Sequence, residues 1–445
     1  MSSTTEQLSQ TTAVSDRTAT PSKLTMPVIL LAVFVLPMGI SGTAVALPQI
    51  ASDLGSSPTL LQWVVNGFNA AFAVFTLVWG VLSDRMGYKR TFIAGAGLMV
   101  VASIISAAAT NMVTVDIART LAGVAGAAIF TGSSAILSNA HTSPEARMRN
   151  FAIFGATIGL GLALGPTIAG VIVDWTGWRG IFLIYGVLVA VSFVLSKALP
   201  DIRHERAPGQ KVVDFSLLRN YRFLAMSLVP VAAAIGFVTL MTYLPVALSA
   251  IRGMSPSQAG LFMLPMSVPV LLGPLLTGRL LKSVRRVTPM TMIYVSLLFM
   301  VVGDIGMLLL DPHKPLVLLV LPMILLGFSF GLPIGLVDGE AIGSVPPQNS
   351  GTAAGVLNFL RLGSEAVVIG AYSAALTWLI SRTITDPETA NDVAAGATGH
   401  AAVYADAFHW VMAAATVLSA LTALAIALLH RAELRRDRRL RTEVR

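Results

Sequence analysis

The chain has 445 residues, 55% of them hydrophobic and only 12% charged, with a formal net charge of +8 at pH 7. At a mean hydropathy of +0.77 it carries more apolar side chain than a dispersed soluble fold can bury, so a soluble enzyme or nucleic-acid binder is excluded. The absence of Cys also rules out disulfides, thiolate metal sites and a thiol nucleophile.

Residues 1–25 are Ser/Thr-rich with no apolar core, and read as a disordered cytoplasmic tail with no cleavable leader. A bilayer core of roughly 30 Å needs about 20 apolar residues per helix. Runs of that kind begin near Met26, Thr59, Thr91, Met112, Asn150, Arg179, Phe223, Ala259, Thr288, Pro315, Ser350 and Phe408. The expected fold is all-α and polytopic, with twelve membrane helices. With the N-terminus inside, 24 of the 30 Lys and Arg fall in cytoplasmic segments and 4 outside, while Arg119 and Arg361 lie within spans. Both termini are therefore expected in the cytoplasm of a cell that holds the chain in its inner membrane. This bias also accounts for the net charge, so nucleic acid is not an expected partner.

The chain repeats at an offset of 197 to 198 residues: Leu47-Pro48 with Leu244-Pro245, Ser57-Pro58 with Ser255-Pro256, Gly80 with Gly278, and Gly165 with Gly363. Two six-helix halves are expected, over 26–199 and 222–430, joined by a basic linker over 200–221. Residues 431–445 form a basic cytoplasmic tail suited to stopping transfer and holding anionic lipid.

Four stretches carry the functional reading. Gly80-x3-Asp84-Arg85-x-Gly87-x-Lys89-Arg90 closes the second span in a tight basic turn, which Gly87 permits. Arg119-x2-Ala122-Gly123-x2-Gly126 places a cation in the fourth span, with Asp116 on the same face. Gly161-x3-Gly165-Pro166-x3-Gly170 offers small residues for close helix approach, and Pro166 removes one backbone bond. Gly351-x3-Gly355-x2-Asn358-x2-Arg361 leads to Glu365, which lies about 14 residues, or roughly 21 Å, into the eleventh span.

These strings resemble the major facilitator superfamily, and most of all its drug:proton antiporters. The resemblance covers nearly the whole chain from residue 26 to 430 and implies parallel halves with a substrate site between them. It implies that Asp84 faces the positive end of helix eleven near Ser350, a contact that latches the outward-facing state. It implies a part for Arg119 in proton coupling, and export rather than uptake from the Gly161–Gly170 string. Ala46-Leu47-Pro48-Gln49-Ile50, Leu61-Gln62-Trp63-Val64-Val65-Asn66 and Trp178-Arg179 are similar to the fourteen-helix drug exporters. Two departures stand out. The extra helix pair of that group is missing, and the acid it carries nine residues before Pro48 is Gly39 here.

Charges inside a span are costly and mark function. Glu365 is expected either to carry the proton or to neutralise Arg361, and Asp116 stands in the same two-way relation to Arg119. Asp304 is expected to be structural or water-facing, and Asp338 and Glu340 to be solvated at the inner end of span ten. Trp63, Asn66, Asn69 and Asn358 join Arg361 and Glu365 as candidate cavity residues. No Gly-x4-Gly-Lys-Ser/Thr loop is present and the six His show no metal spacing, so neither catalysis nor a cofactor or metal is expected. The leading expectation is a monomeric, proton-coupled exporter of drugs or amphipathic metabolites. The alternative is an uptake facilitator for a nutrient or organic acid.

Overall fold

A computed structural model of the chain describes residues 22–55, 57–139, 144–202, 215–345 and 350–443. Among them, twelve helices are long and apolar enough to cross a membrane. We label these α1 (Thr25–Leu54), α2 (Pro58–Met86), α3 (Tyr88–Ala108), α4 (Met112–Asn139), α5 (Pro144–Thr176), α6 (Trp178–Leu195), α7 (Tyr221–Arg252), α8 (Pro256–Ser283), α9 (Pro289–Met307), α10 (Leu316–Ala341), α11 (Ser350–Ser381) and α12 (Ala401–Glu443). An even number of crossings puts the two tails on one side of the bundle, called the tail side below.

Helix boundaries follow local chemistry. Pro58, Pro256 and Pro289 each open a helix, where a missing N–H costs nothing. The turns after α1, α2 and α7 are made at Gly55, Gly87 and Gly253, with φ of 102°, 92° and 63°. Gly55 and Gly253 add a further landmark to the repeat, at the same offset.

The first six helices pack on one another, chiefly α3 on α4, α2 on α4, α1 on α5 and α3 on α6. The last six do the same, with α7 on α12, α8 on α10 and α9 on both α10 and α12. The halves meet along α1–α7, α2–α11 and α5–α8. The most buried spans are α1 and α7, as expected for helices at the seam. Trp63, Trp175, Trp378 and Trp410 lie exposed towards the far-side ends of their helices, the placement of an interfacial aromatic belt.

Several spans depart from the uninterrupted helices that hydropathy suggests. In α7 there is a π turn at Ala234–Val238. Residues 332–335 break α10, with Gly335 at φ 80°, before a last segment Leu336–Gly343. The basic tail continues α12 as helix as far as Glu443. The N-terminal tail up to residue 21 and most of the linker, 203–214, lie outside the described residues. On the far side, the loop between α11 and α12 folds a short helix, Pro387–Ala394. Gly396 (φ 107°) then rests against Pro48 of α1 and Val246 of α7, so this loop touches both halves.

Candidate functional site

Helix α5 touches both partners across the centre through its small residues. A Cβ at Gly161 would collide with the Phe34 carbonyl of α1, and one at Gly165 with Ser41. A Cβ at Gly170 would strike the Pro256 carbonyl of α8. The contact is reciprocal, because a Cβ at Gly260 would lie 2.5 Å from the Pro166 carbonyl. Thr167 Oγ1 donates to the Gly260 carbonyl at 2.6 Å, and the Asp174 carboxylate accepts from Ser255 Oγ and from the Ser257 backbone N–H, each at 3.3 Å. Together these bonds close the far-side ends of the halves. Beside them, between α1 and α7, lies a cavity of about 170 Å³ lined in part by Pro48 and Pro245, the two repeat-related prolines.

Pro166 has no N–H to give the Leu162 carbonyl, and Ser41 Oγ of α1 donates to that carbonyl at 3.0 Å instead. A polar group freed inside a membrane is thus satisfied by a neighbouring helix. Ser41 and Gly260 were missed in the sequence; the signal available was the small or hydroxyl residue that a proline-bearing helix needs opposite it. Pro166→Ala should restore the intrahelical bond, release Ser41 and stiffen α5. Conformational exchange should slow several-fold with substrate affinity unchanged, as expected when one interhelical bond worth about 1 kcal/mol is exchanged for an intrahelical one. Comparing equilibrium substrate binding with counterflow rates checks this.

Arg119 is buried, 3% exposed, in a crevice formed with Phe68, Ser103, Ser106, Phe182 and Tyr185. Its Nε donates to the Val64 carbonyl at 3.0 Å and its Nη2 to the Gly39 carbonyl at 2.6 Å. The guanidinium also sits over Phe68, 4.7 Å from the ring centroid. A Cβ at residue 39 would be 3.8 Å from Arg119 Nη1. The acid missing from helix one would therefore have faced this guanidinium, and the backbone of Gly39 now takes its place. Asp116 is not the counter-ion: it is 4% exposed, and neither carboxylate oxygen has a hydrogen-bond partner among the described residues. Gly123 and Gly126 let α4 close on Phe68 and Phe72 of α2.

The second charged group differs from expectation. Arg361 Nη2 pairs with Asp338 Oδ1 of α10 at 2.8 Å, and Nη1 donates to Asn358 Oδ1 at 3.1 Å. Asp338, on the segment after the break at 332–335, is therefore paired with α11 while still 43% exposed. Glu340, on the same segment, pairs with Arg222 of α7. Glu365 is half-buried and feels the charge of Arg361 one turn away without forming an ion pair with it. Next to it on α11, Gly363 faces open space.

Other candidates are more dispersed. Asn66 and Asn69 of α2 are buried, and Asn66 Oδ1 and Asn69 Nδ2 have no hydrogen-bond partner among the described residues. The Asn66 amide faces Gly370 of α11 across the seam. Trp63 is 46% exposed and lies beside Gly67, near the far end of α2. In the Gly80 turn, Lys89 Nζ donates to the carbonyls of Lys197 and Leu199 at 2.9 and 2.7 Å, satisfying the chain where α6 ends. Arg85 and Arg90 are exposed, and no neighbour crowds Gly80. The side chains of Asp84 and Ser350 lie outside the described residues, and so does the contact between them. His409 Nε2 bonds the Leu310 carbonyl at 2.8 Å, a packing contact.

The family model of the Major Facilitator Superfamily matches residues 29–368. The chain is similar to the probable actinorhodin transporter of Streptomyces coelicolor, at 29% identity over 71% of this chain and 66% of that one. It is also similar to the multidrug efflux pump LfrA of Mycolicibacterium smegmatis (26%; 76% and 78%) and to a puromycin resistance protein of Streptomyces alboniger (27%; 83% and 85%). Among solved structures, a bacterial homologue of the human lysosomal transporter Spinster superposes with a TM-score of 0.70 at 16% identity, covering 92% of this chain and 96% of that one.

Proposed function

Because the chain belongs to the Major Facilitator Superfamily, and is thus a multi-pass membrane transporter and not an enzyme, we propose that it exports drugs or amphipathic small metabolites in exchange for protons. In this reading the halves over 26–199 and 222–430 rock about the α1–α7 and α5–α8 seams. The tail side is the cytoplasmic side of the inner membrane, and the closed far side is the exit. The substrate enters between Asn66, Asn69, Asn358 and Arg361, and the proton is carried by Glu365, with Arg119 and Asp116 as further members of the coupling path. The Asp84 turn acts as the latch between states.

The observation that carries export is the α5 helix. Its Gly161–Gly170 string binds α1 on one face and α8 on the other, so one helix couples the seal on the exit side to the core of the first half. The named relatives point the same way, since they are an antibiotic transporter, a multidrug efflux pump and a resistance protein. Expression in a pump-deficient strain loaded with a fluorescent cation should give efflux that stops when a protonophore collapses the gradient. No energy-dependent efflux across a broad panel, with labelled solute accumulating in proteoliposomes under an inward proton gradient, would replace export by uptake.

A further inference from the structure

Asp304 of α9 is a buried acid that the transport reading leaves unused. Its residue is 0% exposed, although α9 lies at the edge of the bundle, so it is neither water-facing nor lipid-facing. Oδ2 accepts from Ser419 Oγ of α12 at 3.0 Å, and Oδ1 is buried with no partner among the described residues. Among the described residues no ion pair compensates it. On α7, Arg222 is held by Glu340 and Glu433 at the tail end, and Arg252 is bound to loop carbonyls at the far end. On α10, the acids Asp338 and Glu340 are paired with Arg361 and Arg222. On α12, Asp406 is exposed, His409 is bound to the Leu310 carbonyl, and His430 is bound to Glu433. An isolated carboxylate in such a place costs several kcal/mol or more, so a dry Asp304 is a neutral acid, and ionisation requires the seam to admit water.

The π turn Ala234–Val238 of α7 lies against α9 at Gly236, where a Cβ would come within 2.6 Å of Met300 Cγ and 2.9 Å of Asp304 Oδ2. Thr239 Oγ1 donates to the Ala234 carbonyl at 2.7 Å, the same oxygen that accepts the Thr239 backbone N–H closing the π turn. Returning one extra residue from a π to an α turn would rotate the rest of α7 by about 100°. That rest carries Pro245 and Ser249, which line the far-side cavity between the halves.

We propose that Asp304 is a proton-binding site inside the last six helices, paired with Ser419, whose protonation state sets the α7 bulge and through it the far-side end of α7. In the neutral state the proton resides on the carboxyl group and the bulge packs dry against α9 through Gly236. On ionisation the proton leaves to water admitted along the α7–α9 seam. The use of this site in transport rests on the proton-antiport reading; its titration does not.

Infrared difference spectroscopy of the purified chain in lipid nanodiscs, titrated across the physiological pH range, tests the site directly. The expected result is a neutral-carboxyl C=O band that bleaches as pH rises, is absent in Asp304→Asn, and titrates at a shifted midpoint in Ser419→Ala. Asp304→Asn should also flatten the pH dependence of substrate exchange in proteoliposomes. A band lost in Asp304→Asn but insensitive to pH in the wild type would overturn the proposal, leaving a permanently neutral structural acid. If Asp304→Asn does not insert, the Ser419→Ala midpoint decides, and an unshifted one overturns the proposal. A titrating band alongside efflux that ignores the proton gradient would retain the site and remove the antiport reading.

Discussion

Glu365→Gln should abolish uphill, gradient-driven efflux while downhill exchange of substrate continues close to the wild-type rate. Gln preserves the shape and some hydrogen bonding but cannot exchange a proton. A neutralising partner for Arg361 would behave otherwise, because its loss leaves a buried unpaired charge costing ~3–5 kcal/mol. Arg361 is held by Asp338 at 2.8 Å, so its charge stays compensated when Glu365 is replaced. The Gln variant should therefore insert and melt like the wild type, within about 1 kcal/mol. Asp338→Asn should lower stability instead, by up to about 1 kcal/mol, since the pair is partly exposed and screened. Uphill efflux by the Gln variant at normal expression would end the assignment, and Asp116, with two unpartnered oxygens, would be the next residue to replace.

Gly170→Val should open the far side. The Gly170 and Pro256 backbones pass so closely that even a single Cβ collides, and valine adds two more carbons. Overpacking of this kind costs ~1–3 kcal/mol. That cost falls only on the conformation in which α5 and α8 are closed, so their equilibrium should move by about 5- to 150-fold. The chain has no Cys, so a reporter pair can be placed without background. Asp174→Cys with Ser257→Cys joins positions whose side chain and backbone now lie 3.3 Å apart. Cross-linking should be high in the parent and fall steeply with Gly170→Val, and substrate should leak down its gradient. Unchanged cross-linking would mean that the far-side seal does not depend on Gly170.

Much of this was legible in the residues. Twelve apolar runs can only be twelve spans, because a bilayer leaves an apolar run of about 20 residues no other way to satisfy its backbone. The turn at Gly87 was equally readable, since only Gly takes φ 92° there without strain. The closeness of α5 to its neighbours was readable too, because Gly161, Gly165 and Gly170 sit at helical spacing with Pro166 among them. These are local properties, decided within a few residues of the chain.

What tertiary structure alone decided is who faces whom. Arg361 and Glu365 stand one turn apart and look like a pair, yet the break in α10 brings Asp338 into reach from 23 residues away. Arg119 and Asp116 also share a face, yet the guanidinium takes the carbonyls of Gly39 on α1 and Val64 on α2. The place of Asp304 on an edge helix allows a structural or a water-facing acid, and only the packing decides, with α12 supplying Ser419 and the α7 bulge covering it. Spacing along a helix fixes direction only relative to that helix. Which neighbour fills that direction depends on packing angles, breaks and bulges set by contacts more than a hundred residues apart, and no single stretch of the chain encodes them.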